Sequence, residues 1–377
     1  MAIKIEMCSC YLPDDIIFQI LILLPVKSLV RFKLVCKTWR SIISHRQFIE
    51  THKNQTSSRE KTVLVVVRDI REFIENLYLI NTPTSTEIHE VRLPLQFGGE
   101  IRFVGHCNGL VCLSNERGNV LYLWNPSTNQ YKVLPRPKIR KKTRRFTTTL
   151  GFGFDSSCDD YKVLSFGLSR VLRDGQRRRV PKAEMYSANA DSWVELEVRK
   201  TFTKFCYLYS SIFNIKIGEV LYLESYSDIM WFDMCNEATG VYEFPKSMQA
   251  YRKSKIFDFG GSVAAIFESA GDGDEPVCSL WALLDDGCGE VSWTKKFNLA
   301  PDLDFYKNRV FCFLGGEYFV TLNDAHECIF SNCSRNEEIK VRLVPEGVER
   351  QFERQRPLVV KYTESLVSVE GFEQLKR

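Results

Sequence analysis

Six segments of this chain repeat one pattern: an apolar run, a polar turn, then a second run. They read LYLINTPTSTEIHEVRLP, LYLWNPSTNQYKVLP, AEMYSANADSWVELEV, IMWFDMCNEATGVYEFP, SLWALLDDGCGEVSWTKKF and CIFSNCSRNEEIKVRL. Anchored on Ile80, Trp124, Tyr186, Phe232, Trp281 and Phe330, they lie 44, 62, 46, 49 and 49 residues apart. Two more strand-like runs precede most of them, such as IRFVGH with GLVCLS, or VFCFLG with EYFVTL. Four strands in each of six units predict a mainly antiparallel, six-bladed β-propeller. The first unit has room for one more strand, which PLVVKYTESLVSV (357–369) can supply. Closing the ring in this way would remove exposed strand edges. A two-sheet sandwich is the alternative for repeats this degenerate.

Ahead of the repeats lies a segment of different character. LPDDIIFQILILLPVKSLVRFKLVCKTWRSII (12–43) holds 19 large apolar or Cys residues in 32. Its longest uncharged run, 16–26, is broken by Gln19 and Pro25. A spanning helix needs about 20 apolar residues, so neither a membrane span nor a signal peptide is expected. Pro13 with Asp14 and Asp15 marks a helix start, and Pro25 a stop after Leu24. Further helices fit 28–33 and 36–44, giving a three-helix unit. The first is apolar almost all round, whereas an amphipathic helix has one apolar stripe. So small a unit cannot bury all of that surface itself. It either docks on another protein or folds back on the rest of the chain as a cap.

Composition narrows the setting. The 13 cysteines are odd in number, contain no CxxC pair and sit mostly among apolar neighbours. They read as reduced thiols of a cytoplasmic or nuclear protein. Cys8 and Cys10 form a CxC with no cluster nearby to complete a metal site. The net charge of +4 is concentrated in KIRKKTRR (138–145) and RVLRDGQRRR (170–179), and the remainder is mildly acidic. Both basic segments fall within the longest repeat spacing, as insertions would. Neither is interleaved with aromatic residues, so nucleic-acid binding is not expected. Arg140, Lys141, Lys142, Arg177, Arg178 and Arg179 are candidate loop residues for an acidic target.

Residues 12–43 resemble an F-box: a Leu-Pro, an acidic pair, a helix ending in a second Leu-Pro, a Leu-Val-Arg-Phe segment, then V-C-K-x-W-R-x-I-I. One departure is Ile22-Leu23, where many members carry a polar or Arg residue; it should leave extra apolar surface. The resemblance implies a Skp-type adaptor as partner and, through it, a cullin and a ubiquitin-conjugating enzyme. Carried over by position, Leu12, Pro13, Ile16, Ile20, Leu24, Pro25, Leu29, Val35 and Trp39 are expected to contact the adaptor or to support that contact. GHCNGLVCL, LWNPSTNQYKVLP, GFGFDSSCDDYKVL and MYSANADSWVEL are similar to the kelch-like F-box-associated domain of a large class of plant F-box proteins. That class includes the S-locus F-box proteins of pollen self-incompatibility. The expected organisation is α+β and multidomain: a helical domain at 8–53, a linker at 54–61 and a β domain at 62–372.

No catalytic constellation emerges. The five histidines form no HExxH and no triad. His106 and Cys107 are adjacent, so on a strand they would face opposite ways; His106 reads as a turn residue and Cys107 as core. DSSCDD around Asp155, Asp159 and Asp160 reads as a polar turn. GFGF (151–154) lacks the third glycine and the helix of a dinucleotide loop, and GDGDE (271–275) lacks calcium-loop spacing. CNGL (107–110) reads as a tight hairpin turn. Neither cofactor nor metal is expected. The function implied is a non-catalytic substrate receptor of an SCF-type ubiquitin ligase that holds an unidentified protein substrate. The alternatives are an adaptor-bound scaffold outside any ligase, and a propeller enzyme or sugar-binding module with a helical cap.

Overall fold

The computed structural model describes residues 12–59, 61–68, 75–82, 88–91, 101–115, 118–138, 149–173, 176–197, 215–224, 228–245, 252–253, 256–270, 276–285, 291–299, 309–314, 316–323, 325, 327–332, 335, 337–343 and 358–374. Four helices lead: α1 (Asp14–Leu21), α2 (Val26–Phe32), α3 (Lys37–Ser44) and α4 (Arg46–Arg59). Prolines set the first two. The Pro13 carbonyl accepts the N–H groups of Ile16 and Ile17 at 3.0 and 3.1 Å, and Pro25 does the same for Ser28 and Leu29. Their fixed φ suits a helix start and costs no donor there. Cys36 begins α3, its Sγ accepting from the Trp39 N–H at 3.4 Å. The first helix stops at Leu21 and not at Leu24, because the chain tightens ahead of Pro25. There Leu24 N–H reaches only back to Leu21, at 3.0 Å, a 3₁₀ pattern.

The fourth helix corrects the expected linker, since α4 carries residues 54–59. Its sequence is too polar to show an apolar stripe. Phe48 and His52 provide its inward face: Phe48 is fully buried, and a ring nitrogen of His52 bonds the Leu24 carbonyl at 2.8 Å.

The strands then run blade by blade. Blade one holds β1 (Lys61–Arg68), β2 (Glu75–Thr82) and β3 (Ile88–Val91), with β25 (Leu358–Tyr362) as its inner strand. Blade two holds β4 (Ile101–Cys107), β5 (Leu110–Asn115), β6 (Leu121–Asn125) and β7 (Gln130–Val133), and β26 (Glu373–Gln374) pairs with its outer edge. Blade three holds β8 (Thr149–Asp155), β9 (Asp160–Arg173), β10 (Gln176–Ser187) and β11 (Ser192–Leu196). Blade four holds β12 (Ile215–Ile217), β13 (Val220–Glu224), β14 (Asp228–Asp233) and β15 (Thr239–Glu243). In blade five, β16 (Arg252–Lys253) and β17 (Phe257–Phe259) both pair with β18 (Ser262–Ala270), followed by β19 (Pro276–Asp285) and β20 (Val291–Asn298). Blade six holds β21 (Arg309–Leu314), β22 (Tyr318–Leu322), β23 (Glu327–Asn332) and β24 (Glu337–Arg342). Pairing within blades is antiparallel throughout the described strands. A single parallel bridge, Asp258 opposite Cys312, links blades five and six. Hydrogen bonding alone therefore draws five sheets, while the strand order gives six four-stranded units.

Side-chain packing closes the ring. In β1, Val63 and Val65 pack towards blade six, while Leu64 and Val66 pack towards blade two. In β5, Val111 and Leu113 face blade one, and Leu110 and Cys112 face blade three. Blades three and four, four and five, and five and six share further apolar clusters. Strands buried on both faces lose the usual apolar–polar alternation, which is why TVLVVV and GLVCL read as unbroken apolar runs. All six anchors, from Ile80 to Phe330, fall on the third strand of their blades. The C-terminal strand joins blade one as expected, with Thr62 opposite Tyr362.

Candidate partner-docking site

The first helix has two apolar stripes, and they have different fates. Ile17, Phe18, Leu21 and Ile22 turn inward to a small core with Val26, Leu29, Ile43 and Phe48. Phe18 meets Phe48 edge-on at 5.1 Å, and Phe32 packs on Trp39 at 5.3 Å. Leu12, Ile16, Ile20 and Leu23 lie on the other stripe and are 50, 47, 50 and 59% exposed. In the turn after α2, Leu34 and Val35 are 87 and 60% exposed. Six of the nine large exposed apolar residues among the described residues thus fall within 12–35. At roughly 1.5–3 kcal/mol forgone per exposed large side chain, this is a concentration of apolar surface of the kind found at interaction sites.

The expected contact residues separate accordingly. Leu12, Pro13, Ile16, Ile20, Pro25 and Val35 are exposed; Leu24 and Trp39 are half-buried. Leu29 is wholly buried and belongs to the internal core. Leu23 and Leu34 are exposed too but fall outside the expected contact set, because the motif assigns them no contact position. Ile22, expected to add exposed surface with Leu23, is only 3% exposed.

The helical unit is also seated on the propeller. After β25 the tail crosses blade two, and its Leu366, 2% exposed, completes the helical core. The tail is held by the segments that gave the propeller its family resemblance. Asn108 and Gly109 adopt φ of 52° and 79°, the tight turn expected of CNGL. The Ser365 hydroxyl donates to the Asn108 carbonyl at 2.6 Å, and the Tyr362 hydroxyl to the Gly109 carbonyl at 3.0 Å. A Cβ on Gly109 would lie 2.3 Å from the Ser365 oxygen. Asn125, from LWNPSTNQ, donates through Nδ2 to the carbonyls of Ser365 and Val367 at 3.0 and 2.8 Å. On the other side, Arg46 at the start of α4 meets Asp159 at 2.9 Å. That pair is exposed and screened by solvent, so it adds little to the seat. The capping alternative is thus realised, while the outward stripe of α1 stays exposed.

A cleft of about 70 Å³ remains at this seam, lined by residues that include Leu24, Pro25, His52 and Glu364. Burial pushes the Glu364 carboxyl above the usual range, against the opposing pull of Lys27, His89 and His52.

The groups weighed for catalytic chemistry are packed or hydrogen-bonded into the propeller. His106 lies within β4, not in a turn, because the hairpin turns one residue later. Burial, and then the Lys216 charge, lower its pKa to about 4. Burial pushes the thiols of Cys107, Cys112, Cys312 and Cys328 upward, so reactive thiolate is scarce at neutral pH. Asp155 and Asp160 flank the expected polar turn. Burial opposes ionisation of Asp155, but hydrogen bonds from Lys162 at 2.5 Å and Ser157 at 2.6 Å hold its carboxyl well below the usual range. Asp160 accepts from the Ser187 hydroxyl at 2.5 Å and the Asn189 N–H at 2.9 Å. Among the described residues, no group of three or more His, Cys, Asp or Glu is arranged to hold a metal, and no helix is long and apolar enough to cross a membrane. Cys8, Cys10, Arg140, Lys141, Lys142 and residues 271–275 lie outside the described residues. Arg177, Arg178 and Arg179 fall on strand β10 and not in a loop.

Comparison with known proteins places these features. Residues 10–51 match the model of the F-box domain, and residues 63–369 that of the F-box associated beta propeller domain. The F-box/kelch-repeat protein At3g17530 of Arabidopsis thaliana is 24% identical over 95% of both chains. The F-box protein CPR1 of the same plant is 25% identical over 76% of this chain and 73% of its own. The F-box/kelch-repeat protein At3g23880, also from Arabidopsis thaliana, is 34% identical over 48% of this chain and 50% of its own, so the chain spans about half the length of that relative. With a propeller-domain match covering most of its length behind an N-terminal F-box, the chain belongs to the F-box associated beta propeller family.

Proposed function

We propose that this protein is the substrate receptor of an SCF-type ubiquitin ligase. The helical unit docks a Skp-type adaptor, the adaptor reaches a cullin, and the propeller holds a protein target in the cytoplasm or nucleus. The observation that carries the reading is the outward stripe of Leu12, Ile16, Ile20 and Leu23 on a helix whose other stripe is already buried. The chain itself performs no bond chemistry in this scheme. It raises the effective concentration of a target lysine near the charged conjugating enzyme. A seated helical unit suits that role, since a fixed geometry wastes fewer encounters than a loose tether.

The test is co-purification of the full chain with a plant Skp-type adaptor and cullin, wild type against Ile16→Asp/Ile20→Asp. Both positions are exposed, so circular dichroism and thermal unfolding should not change. Adaptor and cullin are expected with the wild type and neither with the variant. Adaptor without cullin would favour the scaffold reading. A wild type that captures no adaptor would overturn the proposal.

A further inference from the structure

Between Asp15 and Glu50 the helical unit contains no carboxylate side chain, yet it carries Lys27, Arg31, Lys33, Lys37, Arg40 and Arg46. Arg46 is engaged by Glu50 and Asp159. Three of the others gather where α2 gives way to α3. Lys33 is the C-terminal cap of α2, a position where a cation suits the helix dipole. Lys37 and Arg40 are three positions apart on α3 and so share a face of it. Lys33 is half-buried, Lys37 and Arg40 are exposed. Burial, and then the neighbouring Arg40 charge, lower the Lys33 pKa, with no carboxylate pulling the other way. Among the described residues none of the three forms an ion pair.

The same turn presents apolar surface, since Leu34 and Val35 are 87 and 60% exposed. Their placement is fixed from both sides. The Leu34 N–H donates to the Arg31 carbonyl at 3.0 Å, and the Val35 N–H to the Phe32 carbonyl at 3.1 Å. Cys36 caps α3, and Phe32 packs on Trp39 at 5.3 Å. A fixed turn that holds like charges together beside bare apolar side chains is unfavourable on both counts. One kind of surface relieves both: an apolar hollow bordered by carboxylates. We propose that the 33–37 turn, with Arg40, is a second contact of the adaptor-docking unit, in which Leu34 and Val35 enter an apolar hollow and Lys33, Lys37 and Arg40 meet carboxylates of the adaptor. This rests on the reading of the helical unit as the adaptor-binding half. Arginine pairs with a carboxylate through two parallel hydrogen bonds, lysine as a point charge. A nucleic acid would satisfy the cations but leave Leu34 bare. Two apolar side chains and three cations are too few to anchor a bilayer. Charge at the border of a contact governs encounter and orientation, while the apolar pair governs how long the complex lasts.

The experiment is biolayer interferometry of the full chain on an immobilised plant Skp-type adaptor, at about 50 and about 300 mM salt. Wild-type association should slow steeply as salt rises. Lys33→Gln/Lys37→Gln/Arg40→Gln should slow association roughly tenfold at the lower salt and flatten its salt dependence. Lys37→Gln/Arg40→Gln, both exposed and so without effect on thermal unfolding, should give a smaller loss of the same kind. Leu34→Ser should leave association within about twofold and speed dissociation roughly tenfold. Lys295→Gln/Lys296→Gln, exposed on the outer strand of blade five, should change neither rate. Wild-type association indifferent to salt, an equal loss in the blade-five variant, or capture on phosphatidylserine vesicles that the triple variant loses would each overturn the proposal. A triple variant that captures the adaptor at the wild-type rate would remove this contact and leave the ligase reading standing. A wild type that captures no adaptor would remove both.

Discussion

Leu366 belongs to the propeller's tail by sequence and to the helical unit by packing, so Leu366→Ala probes their coupling directly. The side chain is 2% exposed, among Leu21, Ile22, Val26, Leu29, Ile43 and Phe48. Truncation removes three buried carbon groups, which at about 0.8 kcal/mol each is about 2.4 kcal/mol. The unrelaxed cavity carries the loss into the range of about 2–5 kcal/mol. The helical unit is small, so this is a large part of what holds it closed. Amide hydrogen exchange reads the effect region by region. Opening of α2 and α3 should rise about 60-fold or more, the equivalent of 2.4 kcal/mol. The inner strands of blades two and three should keep their protection. Unchanged exchange in the helices would mean that Leu366 is no part of their core. An equal rise in every strand would mean that helices and propeller open as one unit, and would refute the idea of a seated but separable domain.

Three further outcomes test the seat and the ring. Gly109→Ala forces a side chain into positive φ and onto Ser365; it should cost about 1–3 kcal/mol in urea unfolding and open residues 363–369 to proteolysis. Asp155→Asn leaves the buried Lys162 ammonium without its counter-charge and should cost about 3 kcal/mol. In the wild type, because the folded carboxyl titrates low, this stability is present above about pH 4 and is lost as pH falls through the folded value, as acid unfolding of D155N against wild type should show. Glu364 has the opposite sign. Its raised folded pKa means that ionisation opposes folding, so Glu364→Gln should raise Tm at neutral pH. The gain should vanish as pH falls below the ordinary carboxylate value near 4.3.

The propeller was legible because its signals are local. The third strand of each blade carries a large apolar anchor ahead of a polar turn, and Asn108-Gly109 takes the positive φ that its sequence predicts. Ring closure by 357–369 followed from counting strands. The exposed stripe of α1 was legible as a surplus of apolar residues, though not which of them face out: Leu29 is core, while Leu23 and Leu34 are exposed. That distinction depends on helix phase and on neighbours far along the chain. The fourth helix escaped because its polar residues show no stripe and its inward face rests on Phe48 and His52. Nothing in SLVSV marks Leu366 as the plug of a core more than 300 residues upstream.

That plug also sets an order of assembly during synthesis. The helices are made some 300 residues before the strand that closes blade one and the leucine that completes the helical core. A nascent or prematurely terminated chain lacking residues 358–366 exposes both an open sheet edge on β1 and an unfilled helical core. Helix α1 is then unsupported while the ring is still incomplete. Packing of the helical core is thereby tied to synthesis through residues 358–366.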